Sequence, residues 1–370
     1  MSGPTPRGVL LVGNFLSAVD GSRNMVEDLA ERLRSTGVSV VCVSTHRSPW
    51  ARGLDMISKP VFRRVDYSVA VVNLFSGRAF LWGFAVSTIL RALQCPFILD
   101  LHGGGLPAFA HRYRRSVRWC LHGATAVVSP SGYLISQMRR YREDVGLLPN
   151  ALDFGRYRYR LRERLEPNLI WVRAFHEIYN PSMAPRVLAL LIKDHPDIRL
   201  TMVGPDKGDG SLARTRRVAT ELGVASRITF SGAVAKKDIP AWLDSADIFL
   251  NTTDIDNTPV SVMEAMASGL CIISTNVGGI PFLLSEGENA LLVPSSDVES
   301  MASAVSRLLK DPGLSMRLSS TARRKAENWD WAVILPQWSR LLKTVADRNG
   351  TAAATGTLEA SSEAGASRKT

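Results

Sequence analysis

The sequence predicts an α/β protein of two Rossmann-like, doubly wound units, one after the other, as two lobes facing a central cleft. Three observations predict it. Short apolar runs alternate with helical patterns from the first residues, the alternation restarts at Asn168 after a basic stretch, and 370 residues suit two domains. Strands separated by helices argue for parallel sheets covered on both faces.

In the first half, Val9–Val12 reads as a strand, and Met25, Val26, Leu29 and Leu33 mark one face of a helix stopped by Gly37. Val38–Val43 and Tyr67–Leu74 are the next strands. A helix over Arg78–Leu93, a strand at Pro96–Leu101 and a run at Ala124–Val128 continue the theme. After the basic stretch, strands are expected at Asn168–Val172, Arg199–Val203, Arg227–Phe230, Ile248–Asn251 and Cys271–Ser274. Helices are expected at Pro185–Lys193, Arg214–Leu222 and Ile239–Leu243. The domain reading is 1–155, a basic linker 156–167, a second domain 168–330, a helix 331–348 that crosses back to the first, and a disordered tail 349–370 rich in Ala, Ser, Thr and Gly.

Composition narrows the function classes. Four scattered cysteines without a Cys-x-x-Cys pair, and no His-x-x-x-His pair, indicate neither a zinc site nor a disulfide framework. The Val9–Val12 run is too short for a signal-peptide core, and Ala79–Leu90 falls short of the roughly 20 residues that span a bilayer; it reads as a buried helix. A cytoplasmic location, peripheral at the inner membrane face, is the expectation. Of the net +11, residues 1–150 hold 18 Lys and Arg against 9 Asp and Glu. Such a basic half suits an anionic partner, a phosphorylated acceptor, an anionic lipid surface or nucleic acid, through runs such as Arg112, Arg114, Arg115 and Arg118. The plain alternative for each run is a solubilising surface.

The most informative segment runs from Asn251 to Pro294. A polar loop leads to a helix opening at Thr258-Pro259, with Thr as N-cap and Pro at the first helical position. Asp256 and Glu264 stand eight positions apart at the mouth of the sheet, and Gly278-Gly279 follows the next strand. Carboxylates suit sugar hydroxyls, while a helix N-terminus and a glycine pair suit phosphate.

Asp256-x7-Glu264, Ala265-Met-Ala-Ser-Gly269, Val277-Gly-Gly-Ile-Pro281 and Ala290-Leu-Leu-Val-Pro294 together resemble the signature of glycosyltransferase family 4. Val203-Gly204-Pro205, Arg227-Ile-Thr-Phe-Ser-Gly232 and Leu148-Pro-Asn-Ala-Leu-Asp153 extend the likeness, which is strong over 168–345 and looser over 8–155. The resemblance implies the GT-B fold and a retaining, metal-independent transfer from a nucleotide-sugar, UDP- or GDP-linked, to a glycan or lipid-linked acceptor in surface polysaccharide synthesis. It implies no cofactor and no metal, and Asp254-Ile-Asp256 is not read as a metal motif.

By the same resemblance, Glu264 holds the donor ribose and Asp256, where the family has glutamate, contacts the donor sugar. Gly278, Gly279 and Ile280 offer amides, and Pro259 and Gly204 shape the site. Arg173 matches the first of the family's basic pair, but Ile178 replaces the lysine five residues on, so Lys207 is a candidate helper on the diphosphate. In the first half, His102 with Gly103 and Gly104 after a strand is placed near the reacting sugar. Gly13, Asn14 and Arg23 correspond to the acceptor-side glycine-rich loop. A Rossmann dehydrogenase would need a Gly-x-Gly-x-x-Gly that Gly13-Asn-Phe-Leu-Ser-Ala does not supply. A GT-B epimerase, an inactive nucleotide-sugar binder and a nucleic-acid binder are the other readings; no nucleic acid is expected, for the arginines form no binding motif.

Overall fold

The computed structural model describes residues 8–13, 15, 24–46 and 48–347. Asn14, Arg23 and the tail 349–370 lie outside the described residues. The chain divides into two compact units. The first runs to Pro130 and takes in Leu134–Pro149 and the residues from Ile334 on; the second is Asn150–Val333 with Ser131–Tyr133.

The first unit is a six-stranded parallel sheet: β1 (Val9–Val12), β2 (Val40–Val43), β3 (Val69–Leu74), β4 (Phe97–Leu101), β5 (Ala126–Ser129) and β6 (Val145–Leu147), in the order β2-β1-β3-β4-β5-β6. The second repeats the plan with β7 (Asn168–Val172), β8 (Arg199–Val203), β9 (Ile228–Gly232), β10 (Ile248–Asn251), β11 (Cys271–Thr275) and β12 (Leu291–Val293), in the order β12-β11-β10-β7-β8-β9. In each sheet the order reverses beside the first strand of its half, which places ligand sites beyond the carboxyl ends of the central strands.

Alternation along the strands builds the second core. Leu169, Trp171, Leu200, Met202, Ile248 and Leu250 pack into one layer, while Ile170, Val172, Val203 and Phe249 pack into the other. A strand's period of two sends successive side chains to opposite faces, so both faces must be covered by helices.

Three expectations change. The helix Arg78–Ala92 is not buried all round: Phe80, Gly83, Val86 and Leu90 face inward, while Leu81 and Trp82 are exposed. The stretch 156–167 is not a linker but part of the second unit. There Arg162 is completely buried, donating from Nε to Asp247 Oδ1 at 3.1 Å, from Nη2 to the Ala246 carbonyl at 2.8 Å and from Nη1 to the Ser268 carbonyl at 3.0 Å. The helix after β10 opens one residue late, with Pro259 as the extended cap and Val260 as the first helical residue.

Candidate donor site at the carboxyl ends of the second sheet

Each predicted residue of the second unit stands at or just beyond the carboxyl end of a central strand. Arg173 follows β7, Gly204 and Lys207 follow β8, Asp256, Pro259 and Glu264 follow β10, and Gly278, Gly279 and Ile280 follow β11. Arg173 and Asp256 form an ion pair through Arg173 Nη2 and Asp256 Oδ2. The guanidinium also lies over the Tyr179 ring, 4.3 Å from its centroid. Lys207 is exposed on its loop, whose backbone is tied to Phe175 by the Lys207 amide at 3.1 Å.

The glycines serve backbone approach. At Gly204 (φ +151°) a Cβ would lie 1.8 Å from the Arg173 carbonyl oxygen. A Cβ at Gly278 (φ +53°) would lie 2.2 Å from the Asp256 carbonyl oxygen, and one at Gly279 would lie 1.7 Å from that of Asn257. So the glycine pair presses on the backbone that carries Asp256. Two of the three expected cradle amides are engaged within the protein. The Gly279 amide donates to the Asp256 carbonyl at 2.9 Å and the Ile280 amide to the Val277 carbonyl at 2.9 Å, so neither is open to a ligand. Helix geometry instead leaves the Val260 and Ser261 amides without intrahelical partners at a positive helix end.

Glu264 is buried, with 5% exposure. Its Oε1 accepts from the Tyr157 hydroxyl at 2.8 Å. Burial pushes the Glu264 carboxyl above its ordinary range, against the opposing pull of Tyr157, Lys236, Arg156 and Arg173. Burial likewise raises Asp256, while Arg173 and the Asn257 amide pull it back. Two acids held this way, with several cations around them, form an electrostatically tuned site of the kind that binds or transforms ligands. Arg173 Nε, Asn257 Oδ1 and Ser261 Oγ are buried there without hydrogen-bond partners. Buried polar atoms are normally paired, so such a group of orphans marks where a polar ligand belongs.

No sequence pattern marks Tyr157, Arg156 and Lys236 as neighbours of Glu264. The first two sit inside the arginine-rich run read as a linker, and only the fold reveals the side that faces Glu264. Ile178, at the missing-lysine position, contributes its backbone: its carbonyl accepts from the Asp254 amide at 2.9 Å and from Thr253 Oγ1 at 3.3 Å, anchoring the loop that carries Asp256.

In the first unit, His102 follows β4 and its Nε2 meets Asp100 Oδ2 at 2.8 Å. Its ring stacks on Phe75, with centroids 5.4 Å apart. Burial pulls the imidazole pKa down, but the Asp100 charge and hydrogen bond outweigh it, and the net shift is upward. Gly103 turns the chain at φ +87° and Gly104 is exposed. Gly13 closes β1 beside β2, donating to the Val43 carbonyl at 2.6 Å.

Two doubly wound parallel units, one after the other, are the architecture of the GT-B fold. Residues 166–311 match the family model described as Glycosyl transferases group 1. Within the second unit these residues are similar to that family, and the chain has the GT-B fold, in agreement with the fold that the family 4 resemblance implies. Among curated relatives, a GDP-mannose-dependent alpha-(1-6)-phosphatidylinositol monomannoside mannosyltransferase of Mycolicibacterium smegmatis is 28% identical over 233 residues, 60% of this chain and 58% of the relative. A D-inositol 3-phosphate glycosyltransferase of Corynebacterium glutamicum is 32% identical over 177 residues, 46% of this chain and 42% of the relative. The chain thus spans about half the length of these relatives. Among solved structures, sucrose-phosphate synthase of Thermosynechococcus elongatus (TM-score 0.74, 17% identity) covers 91% of this chain, with 99% of its own length matched. Anabaena HepE in complex with UDP gives the same score and identity over 91% of this chain and 100% of its own.

Proposed function

We propose that this protein is a retaining, metal-independent glycosyltransferase, moving a sugar from a nucleotide-sugar to a glycan or lipid-linked acceptor. The observation that carries the reading is the buried pair of acids, Glu264 held by Tyr157 and Asp256 held by Arg173, beside orphaned polar atoms at the end of one sheet. Glu264 accepts hydrogen bonds from the ribose hydroxyls and Asp256 from a hydroxyl of the donor sugar. Arg173 and the Val260–Ser261 helix end face the diphosphate, where preorganised positive charge stabilises the leaving group without a metal ion. In this scheme the anomeric carbon–diphosphate bond breaks as the acceptor oxygen bonds the same face. The acceptor proton passes to a departing phosphate oxygen. His102 lies on the acceptor side.

The relatives' printed names, a phosphatidylinositol mannoside and an inositol phosphate glycosyltransferase, support a polyol acceptor bearing phosphate or lipid. This fits the basic first half and a role in surface glycolipid or polysaccharide assembly at the inner membrane face. A panel of UDP-, GDP- and ADP-sugars tests the donor reading, because a ligand bound only by the native state raises the melting temperature. One of them should stabilise the protein, and Glu264→Ala should abolish the shift; a panel without any effect contradicts the reading.

A further inference from the structure

Within the transferase reading, on which this inference rests, we infer that Tyr179 is a positioning residue: its ring holds the Arg173 guanidinium where the diphosphate of the nucleotide-sugar meets it. The guanidinium carbon lies 4.3 Å from the centroid of the Tyr179 ring. The face of an aromatic ring is negative, so it attracts a guanidinium, and more strongly where water is partly shut out. Arg173 meets that condition, with 20% of its side chain exposed. A contact through the ring face leaves the N–H groups of the cation free to donate. Nη2 donates to Asp256 Oδ2, while Nε is buried and has no partner among the described residues. The stack therefore fixes the charge and spares a donor for an anion.

The ring is itself held from several sides. Tyr179 closes the short turn Glu177–Tyr179 that follows β7. Its amide donates to the His176 carbonyl at 3.0 Å, and the Ile178 amide donates to His176 Nδ1 at 3.3 Å. The Tyr179 carbonyl accepts from Thr252 Oγ1 at 2.8 Å, and that hydroxyl in turn accepts from Trp171 Nε1 at 3.0 Å. These bonds tie the turn to the start of the loop that carries Asp256. The edge of the His176 ring meets the tyrosine ring, with centroids 6.1 Å apart, and the tyrosine packs against the core that holds Trp171 and Phe175.

Such anchoring has an energetic use. A long arginine stem gives up rotamer freedom when it takes a phosphate, and one that is already held has less to give up. The nearby side chains offer no equivalent, since Ile178 carries no charge and Lys207 is exposed on its loop. Arg173 is thus the cation that the turn presents to a diphosphate, and Tyr179 is the part of the turn that presents it.

The test measures UMP against UDP, and GMP against GDP, by calorimetry on the full chain. The affinity gained with the second phosphate reads the Arg173 contact, while the monophosphate reads the ribose contact of Glu264. Pentafluorophenylalanine keeps the shape of phenylalanine but removes the negative charge from the ring face, so it separates electrostatics from packing. Tyr179→Phe should keep the gain within about twofold, whereas Tyr179→Leu and pentafluorophenylalanine at position 179 should lower it about fivefold or more, as for a partly desolvated cation–π contact. Monophosphate affinity should stay the same in all three, which a disordered site would not allow. Equal gains in every variant would overturn the role of Tyr179, as would a pentafluorophenylalanine variant that matches Tyr179→Phe. A loss in Tyr179→Phe as large as in Tyr179→Leu would overturn it too, by assigning the effect to the hydroxyl. A wild type that binds none of the four nucleotides would instead refute the donor reading itself.

Discussion

The Tyr157 hydroxyl donates to Glu264 Oε1 at 2.8 Å, joining a residue of the chain's arginine-rich middle to the acid of the donor helix. Burial and the adjacent carboxylate raise the Tyr157 pKa, which keeps the hydroxyl a donor at every physiological pH. Tyr157 therefore positions Glu264. A hydrogen bond to a charged group is worth about 1.5–3 kcal/mol, so Tyr157→Phe should weaken donor-nucleotide binding roughly tenfold or more by calorimetry at neutral pH. Affinity within twofold of wild type would show that Tyr157 does not hold the acid.

The raised Glu264 pKa makes a prediction about pH. A carboxyl raised in the folded state binds its proton more tightly there than in the unfolded chain. Its contribution to stability is therefore greatest in acid and is lost as pH rises from the ordinary glutamate value near 4.3 through the elevated one. Glu264→Gln keeps the shape without the charge. The ligand-free variant should melt above the wild type at pH 7–8, and the difference should vanish near pH 4, even as nucleotide binding is lost. Equal melting curves across that range would refute the buried charge.

Asp100 acts on His102 in the opposite sense to burial, and its effect prevails. The stabilisation from the charged pair is complete below the ordinary histidine value of about 6.5 and is lost as pH rises through the elevated one. Asp100→Asn should lower the His102 pKa in an NMR titration. An unchanged titration would mean that the 2.8 Å contact carries no charge interaction.

Much of the fold is legible because both sheets follow one rule. Asn168–Val172 and Arg199–Val203 form strands with the ends that their apolar runs suggest. Glu264 and Asp256 are legible through their spacing and setting. Other features depend on contacts that no local pattern encodes. Tyr157 meets an acid 107 positions away. The burial of Arg162 depends on Asp247 with the adjacent Ala246 carbonyl, and on the Ser268 carbonyl of a further segment, so an arginine-rich run resembles a solvated linker. Gly278-Gly279 reads as a phosphate cradle, since a glycine's freedom looks the same whether ligand or backbone approaches it. The run Ala79–Leu90 resembles core because hydrophobicity alone does not distinguish a buried face from an exposed one.

The Arg162–Asp247 pair offers a stability test independent of function. Removing one partner of a buried pair typically costs about 3–5 kcal/mol, because the other charge is left uncompensated. Asp247→Ala should lower stability by that order in denaturant titrations. Arg162→Met combined with Asp247→Leu should recover part of the loss. A cost below about 1 kcal/mol for Asp247→Ala would contradict the burial of this network.

The central claim is that the ends of β7, β8, β10 and β11 hold a nucleotide-sugar between Glu264 and Asp256. Its most direct measurement is donor binding and transfer by wild type, Glu264→Ala and Asp256→Ala against UDP- and GDP-sugars. The wild type should bind one donor and transfer its sugar with retained anomeric configuration. Glu264→Ala should lose the nucleotide, while Asp256→Ala still binds free nucleoside diphosphate but loses transfer. Undiminished donor binding and transfer in both variants would contradict it.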